Sequence, residues 1–242
     1  MKKKYSSKVC VILGGSGLIG ESISKKFFSE NDYTIVIDKY KPKENICDLF
    51  IKADCSKEKE INKVCKKINK FQINTIINAV RPKIKIKSLK DEIKQFDKFM
   101  FISKINLIFF SLLKNNIIKN KTQFINISSI NSILISQQSI IYHVLKSTSN
   151  QIIKNLAVKY GKYGIKLNNL LLGLIDQRSG KDSPNFKKAL NLTIPLKKKI
   201  APSEVADLSY YLSEHNKSIT GQDIIVDLGM SAKDHFSIFF KN

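Results

Sequence analysis

Residues 9–20 read VCVILGGSGLIG, and the fold class follows from this stretch. Its apolar half is short and ends at a pair of glycines, as expected of a buried β-strand. Residues 17–30 then carry helical periodicity, with Ile23 and Phe27 on one side. The stretch therefore predicts a strand at 9–13, a tight glycine turn and a helix.

Strand-like and helix-like segments alternate along the rest of the chain. Further strands are expected at 33–38, 49–54, 74–79, 123–129, 165–173 and 222–227, and helices at 57–70, 91–119, 140–160 and from about residue 202. Such alternation is the pattern of a parallel sheet with helices on both faces. No linker, repeat or low-complexity segment interrupts the 242 residues. We therefore predict a single α/β domain over 1–242, built on a doubly wound, mainly seven-stranded parallel sheet.

The net charge of +22 at pH 7 is compatible with binding to nucleic acid. However, only Arg81 and Arg178 are arginines among the 42 basic residues. Arginine is the residue favoured for bidentate contacts to phosphates and bases. Because the lysines are spread along the whole chain, we interpret the charge as a solvated lysine surface and expect no nucleic-acid partner.

The spacing of the cysteines and the short length of the apolar runs indicate a cytoplasmic protein without a metal site. The four cysteines form no CxxC pair and have no histidine at zinc-ligand spacing. No stretch approaches the ~18 consecutive apolar residues of a membrane-spanning helix. We therefore expect reduced thiols, no metal site, no membrane partner and a cytoplasmic location.

The glycines of the first turn suit a bound pyrophosphate. Gly14 can make the tight turn, Gly17 can admit the phosphates, and Gly20 can pack the helix against the strand. The helix N-terminus adds free N–H groups and the positive end of the helix dipole. Asp38 ends the second strand, 18 residues after Gly20, close to where a carboxylate meets the adenosine ribose 2′-hydroxyl. Together these residues favour NAD over NADP, although each has an ordinary turn role as its alternative and the adjacent Lys39 complicates the choice.

A tyrosine and a lysine four residues apart form a second candidate constellation. On the helix expected at 140–160, Tyr142 and Lys146 share one face, a single turn apart. A phenol is a weak acid–base catalyst at neutral pH until a neighbouring cation stabilises the phenolate. Ser129 lies 13 residues before Tyr142 at the end of a buried strand, and ligands bind just outside such strand ends. We predict that Ser129 holds a substrate oxygen with which Tyr142 exchanges a proton; the alternative is an exposed polar pair on an amphipathic helix.

These motifs, in this order and at this spacing, resemble the short-chain dehydrogenase/reductase family. The glycine pattern at 14–20, NISS at 126–129 and YxxxK at 142–146 carry the resemblance, which runs from about residue 8 to residue 230. It implies a Rossmann-type fold and a nicotinamide-dependent oxidoreductase. The chain is also similar to 3-oxoacyl-carrier-protein reductases, and its GGSGLIG and NAVRPK stretches resemble bacterial reductases of surface-sugar and flagellin-glycan pathways.

The resemblance further implies a catalytic tetrad and a set of cofactor contacts. The tetrad is Asn106, Ser129, Tyr142 and Lys146, with Asn106 closer in sequence to Ser129 than is usual in the family. The implied cofactor contacts are Gly14, Ser16, Gly17, Leu18, Ile19, Gly20, Asp38, Asp54, Cys55, Asn78, Ala79, Tyr142, Lys146 and Ile175.

The predicted function is therefore an oxidoreductase that interconverts a carbonyl and an alcohol of a small-molecule substrate, with Tyr142 as general acid/base. The polar and basic segment at about 174–200 is expected to form a substrate lid, and it favours a sugar-nucleotide, acyl-carrier or other acidic substrate. Val80 and Leu172 depart from the family's glycine and proline. A cofactor-binding sensor or scaffold without catalysis is therefore the alternative function.

The expected assembly is a homodimer or homotetramer. The helices near 91–119 and 140–160 are apolar on more than one face, with Phe109 and Ile140 among the candidates. Contiguous exposed apolar surface usually marks an interface, and the resemblance implies pairing through these two helices.

Overall fold

A computed structural model describes residues 8–82, 86–137, 139–177 and 182–232 of the chain. The predicted lid at 174–200 is thus described except for residues 178–181, which include Arg178. None of the helices in these ranges is long and apolar enough to cross a membrane.

The described strands form one parallel sheet. They are β1 (Val9–Leu13), β2 (Tyr33–Asp38), β3 (Leu49–Lys52), β4 (Ile73–Asn78), β5 (Gln123–Ser129), β6 (Lys166–Leu172) and β7 (Asp223–Val226). They pair in the order β3-β2-β1-β4-β5-β6-β7, and every pair is parallel. The predicted seven-stranded parallel sheet is confirmed.

Helices cover both faces of the sheet. They are α1 (Leu18–Ser29), α2 (Glu58–Ile68), α3 (Leu89–Ser103), α4 (Ile105–Lys119), α5 (Ile140–Tyr160), α6 (Pro184–Thr193) and α7 (Pro202–Glu214). Apolar side chains of α2, α3, α4 and α5 pack in one buried cluster, whereas those of α1 and α7 pack in a second. Two separate cores on opposite faces are what a doubly wound arrangement requires.

The helical region expected at 91–119 consists of two helices. The division falls at Lys104, between α3 and α4. The Ser103 hydroxyl donates to the Met100 carbonyl oxygen at 2.7 Å. Lys104 lies in the right-handed helical region (φ −76°, ψ −9°), and Ser103, Ile105 and Asn106 around the division are all buried.

The strand order reverses at β1. The chain passes from β1 outward to β2 and β3, and then crosses to β4 on the other side of β1. The loops that follow β1 and β4 therefore leave the sheet in opposite directions and open a crevice at its carboxyl edge. This topology dictates where a ligand can enter.

Candidate active site

A cavity of about 900 Å³ lies along the carboxyl edge of the sheet. Loops that follow six neighbouring strands, β3, β2, β1, β4, β5 and β6, contribute to its wall. Because neighbouring strands lie about 4.8 Å apart, strand order gives the order of side chains along the cavity. Asp54 and Asp38 lie at one end, the glycine turn follows, and Ser129 lies toward the other end.

In the turn after β1, two glycines lie too close to neighbouring backbone for a side chain to fit. Gly14 has a φ of +71°, and a Cβ there would lie 2.8 Å from the Ala79 carbonyl oxygen. A Cβ on Gly20 would collide with the Gly14 carbonyl. Gly17 precedes α1 as its N-cap and offers no capping side chain, so the first turn of the helix faces the cavity with its N–H groups. The turn fits a pyrophosphate, since bare backbone and a helix N-terminus bind such anions.

Two aspartates end β2 and follow β3 at one end of the cavity. Asp38 accepts hydrogen bonds from the Ser16 N–H at 3.1 Å and the Tyr40 N–H at 3.2 Å. Asp54 accepts from the Ser56 hydroxyl at 2.6 Å and pairs with the Lys39 ammonium at 2.9 Å. Burial opposes the charged form of Asp54, but the hydrogen bonds from Ser56 and Lys39 outweigh it and lower the pKa of the Asp54 carboxyl. This end of the cavity therefore offers carboxylate acceptors that are held in place by hydrogen bonds.

Ser129, Tyr142 and Lys146 meet at the other end. Ser129 is the last residue of β5, and its hydroxyl and the half-buried Tyr142 ring both line the cavity. The Lys146 ammonium is buried, lies 5.9 Å from the centre of the Tyr142 ring, and donates to the Ile127 carbonyl oxygen at 3.0 Å. Burial, and secondarily the positive charge of Arg81, lower the pKa of Lys146 to about 8. A buried cation beside a cavity-lining phenol is an arrangement suited to proton transfer.

Glu92 of α3 caps the start of α5. Its carboxylate accepts from the Ile140 and Ile141 N–H groups, each at 3.0 Å, and from the Ser139 hydroxyl at 3.1 Å. No side chain next to α5 in sequence caps this end. A carboxylate at a helix N-terminus also interacts favourably with the helix dipole. Glu92 thereby holds the turn that carries Tyr142.

A row of buried amides crosses the sheet beneath the cavity. Asn78, Asn126, Asn169 and Asp223 are register partners on β4, β5, β6 and β7. Asn126 donates to Asn169, and Asn169 donates to the Asp223 carboxylate, each at 2.8 Å. Because a carboxylate only accepts, it dictates which way the amides point. We call these four residues the amide row.

Asn106 joins the amide row from α4. It accepts from Asn78 at 2.8 Å and donates to Asn126 at 3.0 Å and to the Ser149 hydroxyl at 2.9 Å. The Asn78 side-chain oxygen in turn accepts from the Val80 N–H at 3.1 Å, in the loop that lines the cavity. The structure thus places Asn106 below the cavity wall, in contact with the amide row.

Most of the expected site residues come together in this one cavity. Its wall contains Gly14, Ser16, Gly17, Leu18, Ile19, Gly20, Asp38, Asp54, Cys55, Ala79, Ser129, Tyr142 and Ile175. Three expected residues, Asn78, Asn106 and Lys146, are buried behind the wall. Within the described ranges no cluster of His, Cys, Asp or Glu is arranged to hold a metal ion.

The wall also contains residues that sequence reasoning did not select for the site. Arg81 and Lys98 add positive charge, and Phe99, Ile102 and Met230 add apolar surface. Of these five residues, only Arg81 could have been selected from the sequence, because it closely follows the Asn78-Ala79 pair at the end of β4. The others reach the cavity from a helix and a C-terminal turn whose position depends on tertiary packing.

The chain is similar to known oxidoreductases over most of its length. A family model described as enoyl-(acyl carrier protein) reductase matches residues 25–231. Glucose 1-dehydrogenase of Gluconobacter oxydans (strain 621H) is 25% identical over 97% of this chain and 96% of its own length. Carbonyl reductase family member 4 of Xenopus laevis is 28% identical over 93% of this chain and 98% of its own.

Solved structures share the fold at lower identity. A short chain dehydrogenase from Leptospira borgpetersenii serovar Hardjo-bovis (strain JB197), with bound NAD+, superposes with a TM-score of 0.83 at 21% identity, covering 94% of each chain. The family match covers well over half of the chain, and the fold is the one that the glycine turn and the tyrosine–lysine pair predicted. The chain belongs to the short-chain dehydrogenase/reductase family, whose members are NAD(P)-dependent oxidoreductases.

Proposed function

We propose that the protein reversibly interconverts a carbonyl and an alcohol, with NAD as cofactor and Tyr142 as general acid/base. The observation that carries the proposal is the buried Lys146 ammonium beside the Tyr142 ring, with Ser129 on the same cavity wall. When bound, the nicotinamide supplies the hydride. Ser129 holds the carbonyl oxygen, Tyr142 delivers the proton to it, and Lys146 stabilises the phenolate left behind.

Asp38 supports NAD as the cofactor. Its carboxylate, at the end of β2, offers acceptors for the ribose hydroxyls and would repel a 2′-phosphate. Lys39 is the adjacent cation that could favour NADP, but it pairs with Asp54 at 2.9 Å. The bound NAD+ of the Leptospira relative is in line with this choice. We propose that the glycine turn binds the pyrophosphate and that Asp54 contacts the adenine.

We assign Asn106 a positioning role in the tetrad rather than contact with the reacting atoms. Its three hydrogen bonds join Asn78, Asn126 and Ser149. Ser149 lies one turn of α5 beyond Lys146, and Asn126 belongs to the strand that ends at Ser129. Asn106 therefore ties the catalytic helix to the catalytic strand.

The substrate proposal is a sugar nucleotide or an acyl-carrier thioester, with α6 as part of the lid. None of the α6 side chains is buried, and the helix begins with a serine cap and a proline. Within the segment, the Lys199 ammonium pairs with Asp182 at 2.6 Å and so ties the residues after α6 to those before it. An exposed helix tethered near its ends can fold over a cavity without disturbing the core.

A substrate panel tests the function directly. Wild-type protein is incubated with NADH and a set of 3-oxoacyl thioesters, keto-sugar nucleotides and simple ketones, and the absorbance of NADH is followed. Tyr142→Phe should lower turnover by roughly 100- to 10,000-fold, because it removes the transferable proton and keeps the ring. Its NADH affinity should stay close to that of the wild type. Wild-type turnover in Tyr142→Phe would contradict the mechanism, and a wild type that binds NADH but reduces nothing would favour the sensor alternative.

We also propose that the protein forms a homodimer or homotetramer through α4 and α5. Val158 of α5 is 86% exposed, and Leu107 and Leu112 of α4 are exposed as well. A groove between the two helices is lined by Leu107 and Val158. Exposed apolar surface of this kind usually becomes buried in an interface. Val158→Asp should reduce the mass in light scattering, whereas Ile135→Asp, at an exposed position outside α4 and α5, should not. A monomeric wild type would contradict this assembly.

We propose the cytoplasm as the location of the protein. All four cysteines are free thiols, and three of them are buried. Burial raises the pKa of the Cys55 and Cys65 thiols to about 12, which keeps them protonated and unreactive. Free thiols suit a reducing compartment. Fractionation of cells that express the tagged protein would test this.

A further inference from the structure

One cation at the catalytic end of the cavity has no part in the chemistry proposed above. Arg81 lies in the loop after β4 and lines the same cavity as Ser129 and Tyr142. With the residues that the structure describes, its guanidinium forms no ion pair. It is also one of only two arginines in the chain. Among the described residues, Arg81 is thus a cation on the cavity wall that a ligand could reach.

The backbone that carries Arg81 is held on both sides. The Ala79 N–H donates to the Leu13 carbonyl oxygen at 2.9 Å, and the Val80 N–H donates to the Asn78 side chain at 3.1 Å. Pro82, the next residue, is buried. Arg81 itself is exposed between these anchors and faces the cavity. Its position is therefore set by the amide row and by β1.

Strand order separates Arg81 from the acidic end of the cavity. Asp38 and Asp54 follow β2 and β3, whereas Arg81 follows β4, beside the strand that ends at Ser129. Asp38 and Asp54 are the acidic residues of the described wall. The end that contains Arg81 is therefore without a carboxylate along its described wall. Lys98 of α3 adds a further positive charge to this wall.

The clustering of cations has an energetic cost. Lys146 is buried close enough for the charge of Arg81 to lower its pKa further, beyond the larger effect of burial. Like charges near each other are destabilising, and an anion bound to Arg81 would offset that cost. An anionic ligand is therefore the kind of partner that the charge at this end of the cavity favours.

We propose that Arg81 binds an anionic group of the carbonyl substrate, a carboxylate or a phosphate, while Ser129 and Tyr142 hold the carbonyl oxygen. This inference rests on the proposed function. The planar guanidinium can donate two parallel hydrogen bonds to either oxyanion. It selects acidic substrates over neutral ones of the same shape.

Equilibrium binding of probes that cannot be reduced tests the inference apart from catalysis. Benzoate, phenyl phosphate and benzamide are titrated calorimetrically into the NAD+-loaded protein. Benzoate and benzamide have nearly the same shape and differ in charge, and phenyl phosphate distinguishes a phosphate site from a carboxylate site. We expect one or both anions to bind about tenfold tighter than benzamide, the size of one charged hydrogen bond.

Variants identify the residue responsible. Arg81→Gln should remove the preference for the anions, and Arg81→Lys should retain part of it. Lys90→Gln, which removes one exposed charge from α3 outside the cavity wall, should leave the preference intact. Because no probe contains a reducible carbonyl, a protein that fails to transfer hydride would still show the preference.

Three results would overturn the inference. The probes could bind equally, or not at all, to the wild type. The anion preference could survive in Arg81→Gln. Arg81→Gln could weaken NAD+ binding tenfold while the anion preference persists, in which case Arg81 serves the cofactor's own phosphates.

Discussion

The two ends of the cavity carry opposite charge and are stabilised in different ways. At the end formed after β2 and β3, Asp38 and Asp54 are surrounded by donors within 3.2 Å. At the catalytic end, the Lys146 ammonium has a neutral carbonyl partner and a like charge, Arg81, nearby. The aspartates at the acidic end already have hydrogen-bond or ion-pair partners within the protein, whereas among the described residues Arg81 and Lys146 have no carboxylate partner.

This difference in charge is the one expected from the function proposed for each end of the cavity. Ribose hydroxyls are neutral donors, and fixed carboxylates bind them without a change of charge. Proton transfer creates an anion at Tyr142, and a cation must be ready before that charge develops. Charged groups whose pKa is shifted by burial or by neighbouring charges are common at functional sites. The proposed roles thus give cofactor binding to the acidic end and proton transfer to the end with Tyr142.

Replacing the buried cation should have the largest effect. Lys146→Met removes the charge that stabilises the phenolate, so turnover should fall at least about a hundredfold, with about a tenfold loss of NADH affinity. Because the folded protein no longer buries an ammonium, its unfolding temperature should rise. Stopped-flow absorbance, fluorescence titration and thermal unfolding measure the three quantities. A variant that loses stability together with activity would show that Lys146 is mainly structural.

Neutralising the acidic end should change cofactor choice. Asp38→Asn keeps an acceptor for the Ser16 N–H but removes the charge that repels a 2′-phosphate. The ratio of NADH to NADPH affinity should fall by about ten- to a hundredfold. Asp97→Asn, an exposed site on α3, is the matched control. Tighter NADPH binding by the wild type would reverse the assignment and give the phosphate role to Lys39.

The pH dependence of NADH binding should report the charge of the catalytic end. The pKa of Lys146 in the free protein is about 8. As pH rises through 8 the ammonium is lost, and NADH affinity should fall toward the roughly tenfold lower value expected of Lys146→Met. Arg81 is the charged group that faces Lys146, and Tyr142 is its titratable neighbour. Arg81→Gln removes the like charge, raises the pKa of Lys146 and should move the midpoint to higher pH; an unmoved midpoint would argue against this coupling.

Removing the cap of the catalytic helix should have the smallest effect. Glu92→Ala leaves the Ile140 and Ile141 N–H groups without their carboxylate. The free energy of unfolding should fall by about 1 kcal/mol, the usual cost of a lost helix cap. Urea unfolding measures this, with Asp97→Ala on the same helix as control. If Glu92→Ala and the control were equally stable, the hydrogen bonds of Glu92 would contribute nothing to the free energy of unfolding.

Much of the fold was predictable because it is encoded locally. The strands at 33–38 and 123–129 and the helix at 140–160 have the expected bounds. Each is a run of apolar or periodic residues bounded by polar or turn residues, so a window of a few residues suffices. The glycine turn and the tyrosine–lysine pair were recognisable for the same reason.

What the sequence determined by itself is the order of strands and helices, the glycine turn and the pairing of Tyr142 with Lys146 on one helix face. Only the tertiary structure decided that Arg81 lines the wall shared with Ser129, that Glu92 caps a helix 48 residues away, and that the amide row is continuous. The physical reason is the range of the interactions. Helical and strand periods act over neighbouring residues, whereas the register of parallel strands and the charge around a buried ammonium depend on segments that meet only when the sheet has formed.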